Sequence, residues 1–277
     1  MTIMQAFLGA GQGRVALSVV YSSNTQAPTV TLNTISGYVA GFSDITITIN
    51  SGVTLYGNAT GSLPALTITG SSAAGDTVTL INNGTISGYG GQGGTGAAVG
   101  PQGSAQQGST FNNPNGNGGG IALKIVKTSM AVTINTTNNG TIQGGGGGGG
   151  GGGGYFTSGA SYAGGGGGGG QGNPGGAASV QYVNGSIYTL NGVGSAGGAG
   201  STSGVGGGGS GTGGSSSGAA GGAWATSGST GGAMTGSFAP GFAGLDYGLG
   251  GGGGAAVNGN GQITWVVNGT RTGSLIA

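Results

Sequence analysis

Asn138-Asn139-Gly140-Thr141-Ile142-Gln143 runs straight into an unbroken glycine tract, Gly144 to Gly154, and the fold turns on how these two halves are read. The first half is a repeat. Asn82-Asn83-Gly84-Thr85-Ile86-Ser87-Gly88 has the same form, Asn33-Thr34-Ile35-Ser36-Gly37-Tyr38 is a shortened echo, and Asn268-Gly269-Thr270 is a terminal one. Asn-Gly favours positive φ in a tight turn, so each copy reads as a strand, a turn and a short returning strand. The triplets are also Asn-x-Thr glycosylation acceptors, but the turn already accounts for their place after each strand.

Upstream, Ile45, Ile47 and Ile49 are separated by threonines, and Val53 and Leu55, Leu66 and Ile68, Val78 and Leu80, and Val132 and Ile134 alternate in the same way. Period-two alternation of β-branched residues with Thr predicts half-buried strands. No helix-period stretch competes with it, and most other residues are poor helix formers, so almost no α-helix is expected. The repeated corners suggest rungs of a β-solenoid or a small sandwich.

The glycine half is harder to order. A lone glycine run in water is a flexible coil, and glycine loses more backbone entropy on ordering than any other residue. Yet the tracts Gly144 to Gly154 and Gly164 to Gly170, with others around 191–223 and 248–261, alternate with segments unlike linkers: 155–163, 177–191, 224–227 and 238–247. These hold aromatics and almost no charge, a composition hazardous if left unfolded.

An ordered form exists in the extended threefold helix, with three residues per turn and about 3.1 Å per residue, whose N–H and C=O groups point outward. Neighbouring helices bond to each other only where nothing larger than hydrogen stands between them. A helix buried on all sides must then be all glycine, as in Gly144 to Gly154, whereas one with a solvent face can carry another residue every third position, as in Gly90-Gly91-Gln92-Gly93-Gly94-Thr95. Collagen is excluded, because strict Gly-X-Y is missing and there are only 6 prolines. Ordering costs about 1–2 kcal/mol per residue and each hydrogen bond returns about 1 kcal/mol net, so nearly every backbone group must be paired.

Composition closes off most other functions. Of 277 residues 80 are glycine, and only four are basic (Arg14, Lys124, Lys127, Arg271) and three acidic (Asp44, Asp76, Asp246), with no Glu, His or Cys. That leaves no basic patch for nucleic acid. Disulfides and thiolate metal sites are excluded, and general acid/base chemistry at neutral pH would fall to the three Asp, the four basic residues and the Tyr side chains; a glycosidase pair of Asp44 and Asp76 is disfavoured because both sit at ordinary turn positions. We therefore expect no enzyme, no cofactor and no metal. No apolar run is long enough to span a bilayer, and the N-terminus lacks the pattern of an export signal, so no membrane insertion is expected.

Glycine tracts interrupted by aromatic and Ser-rich loops behind a different N-terminal part resemble the distal tail-fibre adhesins of T-even-type phages. The resemblance spans roughly residues 84–262 and rests on layout, including Gly144 to Gly154 and Gly164 to Gly170. It implies a sandwich of polyglycine helices whose intervening segments recognise a receptor on the bacterial outer surface, and an N-terminal region joined to other phage tail proteins. The first 80 residues depart from the family's attachment domain, and 261–270 looks more like the terminal strand of glycine-rich tail proteins from other phages.

The expected fold is thus all-β and polyglycine II. Short strands, solenoid or sandwich-like, occupy 1–142 as an attachment or support region, and 143–277 forms a bundle of threefold glycine helices with aromatic loops and a closing strand. The expected function is a virion tail adhesin, with a passive structural tail-tip protein as the alternative. Ice binding is disfavoured by the bulky loops, and silk-like disorder by the patterned first half. Receptor contacts are expected among Tyr155, Phe156, Tyr162, Tyr182, Tyr188, Trp224, Phe238, Phe242 and Tyr247, since aromatics on loops of a rigid scaffold dominate binding hot spots. About half of them are expected instead to cap the glycine bundle.

Overall fold

The computed structural model describes residues 13–60, 62–96, 115–126, 130–152, 155–157, 160–162, 166–172, 190–192, 198–210, 217–231 and 249–277. Among them there is no α-helix. The chain divides into two compact units, and not at 142/143. One comprises Met1–Gly88, Ile121–Gly144 and Ala255–Ala277, the other Tyr89–Gly120 and Gly145–Gly254. The strand-bearing unit is interrupted twice by glycine-rich chain, and the closing strands belong with it.

The strand unit is a solenoid with three strands to a turn. Its first turn is β1 (Val15–Tyr21), β2 (Thr25–Gln26) and β3 (Thr29–Thr31), and its second is β4 (Ser43–Ile49), β5 (Thr54–Tyr56) and β6 (Leu66–Thr69). The third is β7 (Thr77–Asn82), β8 (Thr85–Ser87) and, after the first interruption, β9 (Leu123–Ile125). The fourth opens with β10 (Ile134–Asn138) and β11 (Thr141–Gln143). In the second interruption lie β12 (Tyr155–Thr157), β13 (Ala160–Tyr162) and β14 (Leu190–Gly192), a separate small sheet, before β15 (Val257–Asn258) completes that turn. β16 (Ile263–Val267), β17 (Thr270–Thr272) and β18 (Leu275–Ile276) make the last. Stacking the turns yields three five-stranded sheets, β1-β4-β7-β10-β16, β2-β5-β8-β11-β17 and β3-β6-β9-β15-β18. All their neighbouring strands are parallel.

Register explains why alternation suffices to build it. Leu17, Ile45, Val78, Ile134 and Ile263 occupy equivalent positions along the first sheet, as do Leu55, Ile86 and Ile142 in the second and Leu66, Leu123 and Val257 in the third. Apart from the half-buried Ile263 on the last turn, all are buried, and the intervening Thr46 and Thr48 point outward and are half-buried. One core therefore runs along the stack, built from like-on-like β-branched and leucine contacts.

The Asn-Asn-Gly-Thr-Ile repeat is the corner between the first and second sheets, and here the structure corrects the hairpin reading. The strand after the corner does not return along the one before it; it enters a different sheet. Gly84 and Gly140 do not adopt positive φ either. They are glycine because the turns stack: a Cβ on Gly140 would fall on the backbone of Gly84, and one on Gly84 would fall on the Val53 carbonyl. The two asparagines bond along the stack instead. Asn82 Nδ2 donates to Asn138 Oδ1 at 2.8 Å, Asn138 Nδ2 to the Asn268 carbonyl at 2.9 Å, and Asn139 Nδ2 to Asn83 Oδ1 at 2.8 Å. Asn82 and Asn138 are fully buried, so these bonds satisfy amides that would otherwise destabilise the core. The echo at Asn268-Gly269-Thr270 is a true last corner, whereas Asn33 to Tyr38 is not: its start lies in a 3-10 turn, Leu32–Thr34.

In the glycine unit, Gly145 to Gly150 lies in no strand, yet each of its backbone groups is bonded. The N–H groups of Gly145 and Gly148 donate to Gly120 and Asn117, those of Gly146 and Gly149 to Gln171 and Gly168, and those of Gly147 and Gly150 to Thr226 and Ser229, at 2.7–2.9 Å. The carbonyls repeat the cycle: Gly145 and Gly148 accept from Gly254 and Gly251, Gly146 and Gly149 from Gly91 and Gly94, Gly147 and Gly150 from Gly222 and Ala219. Successive residues thus point to successive neighbours and return every third residue. Gly144 to Gly152 are buried throughout, while in Gly90 to Thr95 the non-glycine residues Gln92 and Thr95 are the more exposed ones.

Candidate functional site

In the glycine unit, the expected contact residues among the described ones stand at the ends and turns of the glycine tracts. β12 and β13 form an antiparallel hairpin in which Tyr155 pairs with Tyr162 and Thr157 with Ala160, and β14 adds in parallel through Ser161 and Leu190. Two expected contact residues, Tyr155 and Tyr162, are therefore brought opposite each other. Phe156 takes the intervening register beside Ser161. Tyr182, Tyr188, Phe238, Phe242 and Tyr247 lie outside the described residues.

Trp224 is half-buried at the corner of a tight turn in which the N–H and hydroxyl of Thr226 both donate to the Ala223 carbonyl at 3.0 Å. Ala225 within it has φ +54°, a left-handed conformation that costs a non-glycine residue on the order of 1 kcal/mol. The backbone N–H of Trp224 donates to the side-chain Oε1 of Gln171 at 3.3 Å. Sequence reasoning singled out the tryptophan but not its support.

A second exposed turn, Ser201 to Gly204, was not among the expected contacts. The Ser201 N–H donates to the Gly204 carbonyl at 2.8 Å, and its Oγ accepts from the N–H groups of Ser203 and Gly204 at 3.2 and 3.1 Å. Its signal in the sequence, a serine cluster between glycine tracts, is shared by many other positions and singles out none.

Among the described residues the acidic ones, Asp44 and Asp76, belong to the solenoid. Arg14 grips Asp44 with two bonds, Nη2 to Oδ1 at 2.6 Å and Nε to Oδ2 at 2.8 Å, and reaches the carbonyls of Ser43 and Gly75. Hydrogen bonds from Arg14 and Thr77 hold the Asp44 carboxyl below its usual range. Burial pushes Asp76 up, but the N–H of Ala73, the hydroxyl of Tyr38 and the N–H groups of Ser43 and Gly41 together hold it below as well. Both are carboxylates fixed in ionised form as fastenings between turns, the opposite of the raised acid a glycosidase needs. Among the described residues no cluster of three possible metal-ligating side chains occurs, and no helix is long and apolar enough to cross a membrane.

The phage tail fibre adhesin Gp38 family matches residues 16–276. The chain belongs to this family. The match runs through the solenoid and the closing strands, so residues 16–80 and 261–270, which depart from the expected family layout, lie within the family match too. The adhesin is also similar to a chain in the crystal structure of the gp37-gp38 adhesin tip complex of the bacteriophage S16 long tail fiber, with 21% identity and a TM-score of 0.47, covering 94% of this chain and 82% of that one. No curated protein sequence matches it. Family membership makes the protein a phage tail fibre adhesin, a structural and binding component of the virion tail.

Proposed function

We propose that the adhesin recognises a receptor on the bacterial outer surface, protein or glycan, through loops held at the ends of a polyglycine II bundle, and that it does so without catalysis. The observation that carries this reading is the three-residue cycle of hydrogen bonds from Gly145 to Gly150. That cycle is what adjacent extended threefold helices require, and it supports a frame whose interior offers a partner no side chains. Recognition then falls to the turns and to the β12–β13 hairpin, on the general rule that rigid scaffolds present binding loops.

The solenoid would serve as support and as the attachment to other tail proteins. Among the described residues its first strands, β1, β2 and β3, and its last, β16, β17 and β18, stand at the edges of their sheets, the place where a strand can pair with a neighbouring protein. The S16 complex, in which a gp38 chain is held with gp37, is consistent with such a partner. In the glycine unit the sequence has one charge, Asp246. Host binding is accordingly expected to change little with ionic strength, unlike a contact steered by charge.

Adsorption of the purified adhesin to intact bacteria of its phage's host tests the reading. The native chain is compared with one in which 155–162 is replaced by Ser and Gly. Specific adsorption lost on replacement, with the far-ultraviolet spectrum kept, supports receptor recognition. A folded native chain that does not adsorb leaves the passive tail-tip role instead.

A further inference from the structure

Gln171 stands where a glycine tract ends, and its side chain joins two turns that are far apart in sequence. Its backbone is locked on both sides, the N–H donating to the Gly222 carbonyl at 2.9 Å and the carbonyl accepting from Gly146 at 2.7 Å. From that fixed point the side-chain amide uses both ends. Oε1 accepts from the backbone N–H of Trp224 at 3.3 Å, and Nε2 donates to the Thr202 carbonyl at 2.9 Å. The orientation of the amide follows from its partners, since one is a donor and the other an acceptor.

We propose that Gln171 is a positioning residue that fuses the Trp224 turn and the Ser201–Gly204 turn into one receptor-contact surface. The inference rests on the adhesin reading above and deepens it, because it adds a second turn to the surface and names what holds the two in register. An amide spans little more than 2 Å between its oxygen and nitrogen, so the backbones at Thr202 and Trp224 lie within one side chain of each other. The surface so formed joins the turn that carries the half-buried Trp224 to the exposed Ser201, Thr202 and Ser203. Its chemistry is uncharged, one aromatic residue together with the hydroxyls and carbonyls of the serine turn, and it suits a neutral, hydrogen-bonding partner surface.

Support from outside is what these turns need. The Trp224 turn carries a left-handed alanine, and the Ser201 turn is held largely by its own serine hydroxyl. Turns of this kind, without a strand partner, are the parts of a structure that open most easily. An amide that satisfies both at once reduces the ordering that binding would otherwise have to supply.

The test uses the full adhesin labelled with 5-fluorotryptophan. The sequence has 2 tryptophans, so one fluorine signal reports Trp224 and the other Trp265 in the solenoid, which monitors folding. Gln171→Met keeps the length of the side chain and removes the amide. It is expected to shift and broaden the Trp224 signal, leave the Trp265 signal in place, and lower adsorption to host bacteria by roughly tenfold, the loss of one moderate contact. Gln171→Glu keeps an acceptor for Trp224 but sets an oxygen against the Thr202 carbonyl. Its Trp224 signal is expected to stay near that of the native chain while adsorption still falls.

An unmoved Trp224 signal in Gln171→Met overturns the positioning role. So does full adsorption by Gln171→Met where Trp224→Ala has lost it. If Trp224→Ala adsorbs normally while the 155–162 replacement does not, the composite surface is overturned and the adhesin reading survives. Failure of the folded native chain to adsorb overturns both.

Discussion

The solenoid and the glycine unit solve one problem with opposite materials. Both stack extended chain beside extended chain and satisfy the backbone across the gap. In the solenoid the gap is a sheet, and the side chains of Leu17, Ile45, Val78 and Ile134 stack into a core beneath it. Between Gly144 and Gly152 the backbone is itself the core, with neighbours on every side and no room for a side chain. The difference teaches where each region tolerates change: a solenoid position can lose atoms at a graded cost, whereas a buried glycine position cannot gain even one carbon.

The sharpest way to break that comparison is Gly148→Ala. Replacing glycine by alanine usually stabilises a chain slightly through the unfolded state. Here the Cβ would land on the Gln92 carbonyl, and the tract could move aside only by losing bonds such as those to Asn117 and from Gly251. A loss on the order of 5 kcal/mol is expected, from broken bonds and the buried groups they leave unpaired. It should appear as a lower melting temperature at the Trp224 fluorine signal. A variant as stable as the native chain would show that the tract is not confined as its geometry implies.

Ile47→Ala is the counterpart in the solenoid. Ile47 is fully buried between Val19 and Leu80, and its truncation is expected to cost about 2–5 kcal/mol, with the change read at Trp265. Asn138→Ala ranks next. It would take one of two acceptors from the buried Asn82 amide, which keeps the Thr141 carbonyl, and the donor from the Asn268 carbonyl, at about 1–3 kcal/mol in all.

Acid should separate the two regions as well. The carboxyls of Asp44 and Asp76 lie below their ordinary range in the folded protein. They therefore contribute stability that is fully present above the unfolded value of about 4 and is lost as pH falls through the lower, folded values. Melting followed at Trp265 is expected to drop on acidification below about pH 4, with Asp76→Asn flattening part of that dependence. The Trp224 signal should follow far less, since the only acid in the glycine unit's sequence is Asp246. Equal acid sensitivity at both signals would contradict this assignment.

Much of this was legible in the residues, and what was not has a common cause. Alternation revealed the strands around Ile45, Ile47 and Ile49, and the Asn-Asn-Gly-Thr-Ile copies revealed the corners, because both signals are local. The pairing of the solenoid's third side was not legible, although Leu66 and Ile68 marked one of its strands. β9 pairs with β6 through Leu66 and Leu123, and β15 with β9 through Leu123 and Val257, each across a glycine-rich interruption. Pairing at such separation leaves no periodic mark, and so the expected boundary at 142/143 missed the nested order of the two units. Composition could nominate the aromatic contacts, but it could not single out Gln171, whose importance lies in two distant partners rather than in its neighbours.

The smallest expected effect bears on the solenoid alone and has the opposite sign. Thr136 sits in register between Leu80 and Trp265, fully buried, and its hydroxyl has no hydrogen-bond partner among the described residues. A threonine here continues the alternation of the strand but carries a polar atom into an apolar stack. Thr136→Val keeps the shape and removes that atom, so a gain of about 1 kcal/mol is expected, read as a melting temperature a few degrees higher at Trp265. If valine instead destabilises the solenoid, the hydroxyl has a partner in solution, and the core beside the last turn is wetter than its burial implies.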